Sequence, residues 1–172
     1  TQGQRSTAIG YGALPVQNFT TATESNNTAV GYLAGGAITT GVKNVLLGAN
    51  AGDHLTDADF NVAIGYLALD ADTLGSKSVA IGLQALTTQN ATSAADMHNT
   101  AIGFQSAMSL TTGQQNTIVG SLAGDSLTTG SVNSFYGYES GGAGTITGDA
   151  NAGYGNSTLG GLTSGSNNVG VG

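Results

Sequence analysis

Asn99-Thr100-Ala101-Ile102-Gly103-Phe104 is the clearest copy of a phrase that occurs ten times in this chain. The intervals between the glycines of successive copies are 21, 17, 17, 17, 21, 17, 17, 18 and 17, and these glycines are Gly10, Gly31, Gly48, Gly65, Gly82, Gly103, Gly120, Gly137, Gly155 and Gly172. A unit of this length is too short to bury a core alone, so neighbouring units have to stack. The repeat therefore predicts an all-β chain, a parallel β-roll or β-solenoid of about ten 17-residue coils.

The residues just before each glycine predict a strand. Counting the glycine as position 0, positions −1 and −3 are mostly β-branched or large and apolar, as at Ile64, Ile81 and Ile102. Alternation with a period of two is typical of a strand. We predict a strand over about −4 to +1, with positions −1 and −3 facing the coil interior. A second, shorter extended segment at +3 to +8 and two turns would complete each coil.

Position −2 lies between the two apolar positions and is not polar in any of the ten copies, as Ala63, Ala101 and Ile118 illustrate. A strand with no polar face is buried on both sides, as parallel strands commonly are. One thin coil can cover one side of its strand only. We therefore expect another chain to cover position −2.

Four further positions, −4, 0, +7 and +10, have structural explanations. Position −4 is Asn in eight copies, which predicts a ladder of asparagine side chains from coil to coil, including Asn27, Asn44, Asn61, Asn99 and Asn116. The small residues at −2 and 0 allow close backbone approach. Glycine at +10, as in Gly41 and Gly113, predicts a corner with positive φ. Position +7 is usually apolar and would fill that corner, as in Ile38, Leu55, Leu110, Leu127 and Leu162.

Composition excludes several partner classes. The net charge is −7, and the basic residues are only Arg5, Lys43 and Lys77. No basic patch can form, so we expect neither nucleic acid nor an anionic membrane as partner. The chain has no apolar run of transmembrane length, so we expect no membrane insertion. The absence of cysteine suits an extracellular or virion protein and is also compatible with the cytosol.

The whole chain, 1–172, reads as a single repeat array, and we expect it to be a piece of a longer fibre. The copies within 133–172 are degenerate and rich in glycine, and eleven glycines occur from Gly141 onward. Glycine replaces the larger residues at −2 there, at Gly153 and Gly170. This end should be the less stable one.

The Asn-Thr/Val-Ala-Ile-Gly phrase resembles the head repeats of trimeric autotransporter adhesins of the Yersinia adhesin type. The spacing of Ala-Leu, Thr-Thr-Gly and Asn-Thr-Ala-Ile-Gly-Tyr is similar to repeats of phage tail fibres and virion appendages. The resemblance covers nearly the whole chain, although the 17-residue coil is longer than that of the adhesin head. It implies a left-handed roll, a side-by-side homotrimer, flanking fibre domains, and an attachment or spacer role on a virion appendage or bacterial cell surface.

The titratable residues form no recognisable catalytic or metal-binding motif. His54 and His98 have no triad or metal spacing around them, so solvated loops are the favoured interpretation. Asp57/Asp59 and Asp70/Asp72 have the spaced carboxylates that Ca²⁺ prefers, but the spacing does not recur from coil to coil, which favours solvated turns. We expect no enzymatic activity, cofactor or resident metal.

Aromatic residues recur at +1 and could form a stripe for carbohydrate stacking, at Tyr11, Tyr32, Tyr66, Phe104 and Tyr138. They share the alternation of −1 and −3, which favours a core or rim role. An ice-binding solenoid would need a flat repeated Thr face, and Thr fills −3 in four copies only, at Thr7, Thr28, Thr100 and Thr117. A fibre or adhesin segment is favoured over a monomeric ice- or carbohydrate-binding solenoid. A pure spacer remains an alternative.

Both four-residue insertions fall in the same part of the coil, between Leu14 and Asn27 and between Leu86 and Asn99. We expect these loops to emerge on one edge of the rod, where recognition residues are often placed. They are the candidate contact loops for a host-surface glycan or protein, through Pro15, Phe19, Glu24, Asp96, Met97 and His98.

Overall fold

A computed structural model describes residues 3–142 and 144–172, and the described residues form strands and turns without a helix. The strands, in chain order, are β1 (Gly3–Gln4), β2 (Thr7–Ile9), β3 (Thr23–Glu24), β4 (Thr28–Val30), β5 (Val45–Leu47), β6 (Val62–Ile64), β7 (Gly75–Ser76), β8 (Val79–Ile81), β9 (Ala95–Asp96), β10 (Thr100–Ile102), β11 (Thr117–Val119), β12 (Ser134–Tyr136), β13 (Ala152–Tyr154) and β14 (Val169–Val171).

Ten of these strands form one parallel sheet in which equivalent residues of successive repeats lie side by side. The order is β2-β4-β5-β6-β8-β10-β11-β12-β13-β14, and Ala101 pairs with Ala80 on one side and Ile118 on the other. The predicted parallel β-solenoid of about ten coils is therefore confirmed. The sheet continues through the glycine-rich copies, since β13 pairs with β12 and β14.

The two insertions leave this register intact. In the first long coil, the Asn18 amide donates to Thr39 O and the Ser25 amide donates to Gln4 O, and each bond joins equivalent positions of neighbouring coils. The extra residues are therefore confined to the stretch between Asn18 and Ser25, where β3 pairs with β1. The second long coil repeats this arrangement, with β9 paired to β7.

The rest of each coil is built from turns, so the prediction of a second extended segment at +3 to +8 was wrong. Residues at −5, +2 and +4 adopt left-handed φ values, for example 59° at Lys43, 56° at Asn50 and 52° at Leu86. These three left-handed positions change the direction of the chain within each coil. The turns still bond to the next coil, as when the Gly35 amide donates to Ala51 O at 3.0 Å.

The strand faces the opposite way from the sequence-based prediction. Position −2 is buried inside the coil from Ala29 to Gly153, whereas no residue at −1 or −3 is buried in the coils that the structure describes. The predicted interior residues Ile64, Ile81 and Ile102 therefore face outward. The reason is polarity: position −3 is Thr or Ser in five copies, whereas position −2 is never polar and packs inside the coil with the apolar residues at +7. The +7 prediction is confirmed for Ile38, Leu55, Leu110 and Leu127, all fully buried, while Leu162 is partly buried.

The glycines at position 0 are required by both conformation and space. Gly48 has φ of 138°, and a Cβ built there would lie 2.6 Å from Gly65 O in the next coil. Glycine tolerates such φ values because it has no Cβ. The same geometry recurs at Gly31, Gly65, Gly82, Gly103 and Gly120. At +10 the prediction of positive φ was wrong, because the requirement there is space alone: a Cβ on Gly41 would lie 2.5 Å from Ala58 O.

The predicted asparagine ladder is present in the interior. Asn27 Oδ1 accepts the Asn44 amide at 2.8 Å, and Asn44 Oδ1 accepts the Asn61 amide at 2.9 Å. The Nδ2 atoms donate to turn carbonyls of their own coils, as Asn116 does to Gly130 O at 3.0 Å. These buried side chains therefore tie each strand entrance both to the next coil and to the opposite turn.

Ser78 interrupts the ladder, and two polar residues at +7 compensate. Gln89 Oε1 accepts from Asn99 Nδ2 at 2.8 Å, so it supplies the side-chain oxygen that an asparagine at 78 would have offered. Gln89 Nε2 in turn donates to Asp72 Oδ2, and the other Asp72 oxygen accepts the amides of Gly75 and Ala91. Asp72 is fully buried, so the solvated-turn interpretation was wrong for this carboxylate.

Candidate interaction face

The largest candidate functional surface is the outward side of the ten-stranded sheet. We define the outer face as positions −3, −1 and +1 of every coil. It includes large apolar side chains with substantial exposure, such as Leu47 at 45%, Ile102 at 37% and Phe104 at 47%. None of these positions holds a charged residue in any repeat. The hydrophobic residues at −1 thus form one continuous column along the array, and the columns at −3 and +1 beside it are interrupted by Thr, Ser or Asn.

The outer face is comparable in area to the largest apolar patches that monomers expose. Ten coils at about 4.8 Å give a length of roughly 45 Å, and the width from −3 to +1 is roughly 15 Å including side chains. The resulting footprint of about 700 Å² includes polar residues at −3 and +1, and the largest apolar patch on a monomer is typically ~300–600 Å². The footprint approaches the ~800 Å² that each partner buries in a standard interface.

The aromatic residues at +1 belong to the outer face, so the predicted core role was wrong. Tyr11 is 78% exposed and stacks on Tyr32, with ring centroids 5.6 Å apart and an interplanar angle of 11°. Tyr136 and Tyr154, at −1, form a second stacked pair at 5.2 Å. The register of the coils places these rings above one another, and they stiffen both ends of the face.

Two of the six candidate contact residues in the insertions are buried. Phe19 is 7% exposed and Met97 is 1% exposed, so neither can contact a partner without rearrangement. Glu24 pairs with Arg5 at 2.7 Å, and Asp96 pairs with Lys77 at 2.5 Å, but both carboxylates remain exposed. Pro15 and His98 are exposed as well. Four of the six candidates are therefore accessible to a partner.

The other spaced carboxylates also accept hydrogen bonds within the array. Asp59 Oδ1 accepts the Val42 amide at 2.8 Å, and Asp57 Oδ1 accepts from Thr40 Oγ1 at 2.6 Å. Both partners lie one full coil earlier in the chain. These carboxylates stabilise coil-to-coil register and do not converge as a calcium loop would.

One group of titratable residues that the sequence analysis missed does converge. Asp53, His54 and Asp70 place their ligand atoms within 4.8 Å of one another. Burial raises the pKa of the Asp70 carboxyl; His54 opposes that shift, and the nearby Asp53 adds to it. Both carboxylates occupy position +5 of consecutive coils, so the 17-residue register was the signal that could have revealed the group.

A second acidic region lies further along the array, at a cavity of about 230 Å³ lined by Asp125, Glu139, Gly142, Ser157 and Gly160. Burial raises the pKa of the Asp125 carboxyl, its hydrogen bonds to Ser126 lower it, and the nearby Glu139 raises it. Ser157 Oγ lies 3.4 Å from Glu139 Oε2. Glycine occupies +5 in the two following coils, at Gly142 and Gly160, which leaves space next to Asp125 on that side.

Comparison of the chain with protein-family models, with curated proteins and with solved structures finds no match. Within the described residues there is no helix that is both long and apolar enough to cross a membrane.

Proposed function

We propose that the chain is a structural segment of an extracellular fibre, on a virion appendage or a bacterial surface, in which three copies associate side by side through their outer faces. Each copy would be a left-handed roll, as the resemblance to adhesin heads and tail fibres implies. The proposal assigns the chain no catalytic step. Its role is to hold flanking fibre domains apart and to support attachment.

The observation that supports this proposal is the uncharged apolar outer face. An interface would remove the exposed side chains of Leu47, Ile102 and Tyr66 from water, which is favourable for apolar surface. A side chain of this size stabilises by roughly 1.5–3 kcal/mol when it is fully buried. Over ten coils, the free energy gained by burying these side chains is sufficient to offset the entropy lost on association.

A second copy of the chain matches this face better than an unrelated partner does. Copies placed side by side share the same coil spacing, so each apolar column meets apolar columns along the full length of the rod. A cyclic arrangement closes after a fixed number of copies and leaves no apolar face open. Position −2 does not contribute to association, because it is buried inside its own coil from Ala29 to Gly153.

The proposal is tested by a charge placed on the outer face. Ile64→Glu should give a folded monomer, because three glutamates would have to be buried at the interface. Thr129→Glu, at an exposed position outside the face, is the matched control and should stay trimeric. Sedimentation velocity with circular dichroism checks both. A wild-type monomer, or an Ile64→Glu trimer as stable as the wild type, would refute the proposal.

A monomeric carbohydrate-binding solenoid is the second candidate, because the exposed rings of Tyr11, Tyr32 and Tyr66 form part of one column. Sugar rings stack on such surfaces through their apolar faces. This candidate requires a wild-type monomer that binds oligosaccharides, with binding lost in Tyr32→Ala. The fibre proposal expects a trimer and no such binding.

A further inference from the structure

We propose that Asp53, His54 and Asp70 bind a divalent first-row transition-metal cation, with Zn²⁺ as the best fit to the ligand set. The residues belong to two consecutive coils, and their donor atoms all lie within 4.8 Å of one another. An imidazole nitrogen with two carboxylates favours Zn²⁺ and its neighbours over Ca²⁺, which prefers six to eight oxygen ligands.

The distances around Asp70 match the edges of a metal coordination shell. His54 Nδ1 lies 3.0 Å from the Asp70 main-chain oxygen and 3.6 Å from Asp70 Oδ1. Ligands held about 2.1 Å from Zn²⁺ are separated by about 3.0 Å at right angles and about 3.4 Å in a tetrahedron. One cation could therefore contact the imidazole, the carboxylate and the carbonyl with small side-chain adjustments.

Asp70 Oδ1 provides an independent indication that the group binds a cation. This atom is itself buried from solvent, although the Asp70 side chain as a whole is 22% exposed, and no hydrogen-bond donor among the described residues contacts it. Buried carboxylate oxygens are normally satisfied, and one that is not has lost hydration without compensation. The nearby imidazole lies beyond hydrogen-bonding distance of this oxygen, at 3.6 Å. A cation in the group would satisfy it.

Two neighbours fix the position of the Asp53 carboxylate beside the group. Asp53 Oδ2 accepts from Asn50 Nδ2 at 3.1 Å, which orients the carboxylate. Oδ1 lies against Gly36 of the preceding coil, where a Cβ would overlap it. Asp53 and Asp70 both occupy position +5, so their like charges face each other along the rod. A divalent cation would offset this repulsion and link the two coils.

The test is isothermal titration of the full chain with ZnCl₂, using variants that remove one ligand at a time. His54 is 60% exposed, so His54→Ala should fold normally. We expect one saturable site per chain in the wild type, with affinity at least tenfold lower in His54→Ala and Asp70→Asn. The matched controls His98→Ala and Asp57→Asn remove exposed residues outside the group and should retain wild-type affinity.

Gly36→Ala gives a second test that keeps all three ligands. Its backbone does not need positive φ, but the new Cβ should displace the Asp53 carboxylate and change the Zn²⁺ affinity without unfolding the chain. An unchanged affinity would remove Asp53 from the ligand set. Zn²⁺ should also raise the Tm of the wild type and leave that of His54→Ala unchanged. No saturable wild-type binding, equal losses in His54→Ala and His98→Ala, or displacement of Zn²⁺ by excess Ca²⁺ would overturn the assignment.

Discussion

The two sides of the same short strand differ in size and in environment. On the inner side, position −2 holds mainly alanine, and Ala63, Ala80 and Ala101 are all fully buried. On the outer side, Leu47 and Ile102 are larger and remain 45% and 37% exposed. Position −2 also holds the fully buried Leu46 and Phe135, so size alone does not decide the facing. Position −3 is Thr or Ser in five copies and position −2 is never polar, so polarity distinguishes the inner side from the outer side.

The comparison also separates two sources of stability. The inner side, together with the apolar side chains at position +7 and the asparagine ladder, stabilises one chain. The outer side contributes to stability only when another surface covers it. Substitutions on the inner side should therefore act on folding, and substitutions on the outer side should act on association.

Adjacent residues of β10 provide the strongest contrast. Ala101→Asp buries a charge without a partner and should destabilise the monomer by about 4 kcal/mol or more. Ile102→Asp places the same charge on the exposed side and should change monomer stability by less than about 1 kcal/mol. Urea unfolding at dilute concentration checks both. Similar midpoints for the two variants would show that the strand facing is wrong.

Gly48→Ala should have the next largest effect, because it combines a φ of 138° with a Cβ only 2.6 Å from Gly65 O. We expect a loss of about 3 kcal/mol from strain and displaced backbone. Gly161→Ala is the control, since no atom lies within 4 Å of its added Cβ. Thermal unfolding of both variants should separate them by many degrees, and equal Tm values would contradict the close stacking of coils.

Asn116→Ala tests the ladder on the inner side. The change leaves the Asn133 amide and Gly130 O buried without partners, and we expect a loss of about 2–4 kcal/mol. Asn18→Ala, at an exposed position, should be close to neutral. Hydrogen exchange at Asn133 gives a local readout: its amide should exchange faster in Asn116→Ala only. Unchanged protection would argue against the ladder.

The sequence was sufficient for the fold because the repeat itself contains the register. Gly31, Gly48 and Asn44 recur at fixed spacing, and parallel stacking of equivalent residues follows from that alone. The facing of the strand could not be obtained from alternation, because a period of two distinguishes two sides without identifying the inner one. The relevant signal is the contrast between position −3, which is Thr or Ser in five copies, and position −2, which is never polar.

The residues of the sites were harder to predict. Phe19 and Met97 looked available because they lie in insertions, yet the coil needs them to fill its interior. Asp53 and Asp70 looked unrelated because they are one full repeat apart, yet that separation places them side by side. In a solenoid, side-chain clusters form between residues of neighbouring coils, so a motif of adjacent residues in the sequence does not reveal them.

Val132→Asn should have the smallest effect of these substitutions. Val132 lies at position −5, at the margin of the outer side. Val132 is 51% exposed with φ of 62°, a conformation that disfavours β-branched residues. Asn tolerates it, as at Asn26 and Asn167 in the same repeat position, so we expect a gain of about 1 kcal/mol. Val45→Asn, in strand β5, is the control and should give no gain. A lower Tm for Val132→Asn would show that the contacts of the valine side chain stabilise the chain by more than its backbone strain destabilises it.

The most direct measurement is the mass of the wild-type chain by light scattering over a range of concentrations. If copies cover one another's outer faces, the measured mass should reach three times the 16.8 kDa of one chain and stay there as the concentration rises. The mass of a single chain, persisting at high concentration, would contradict the account.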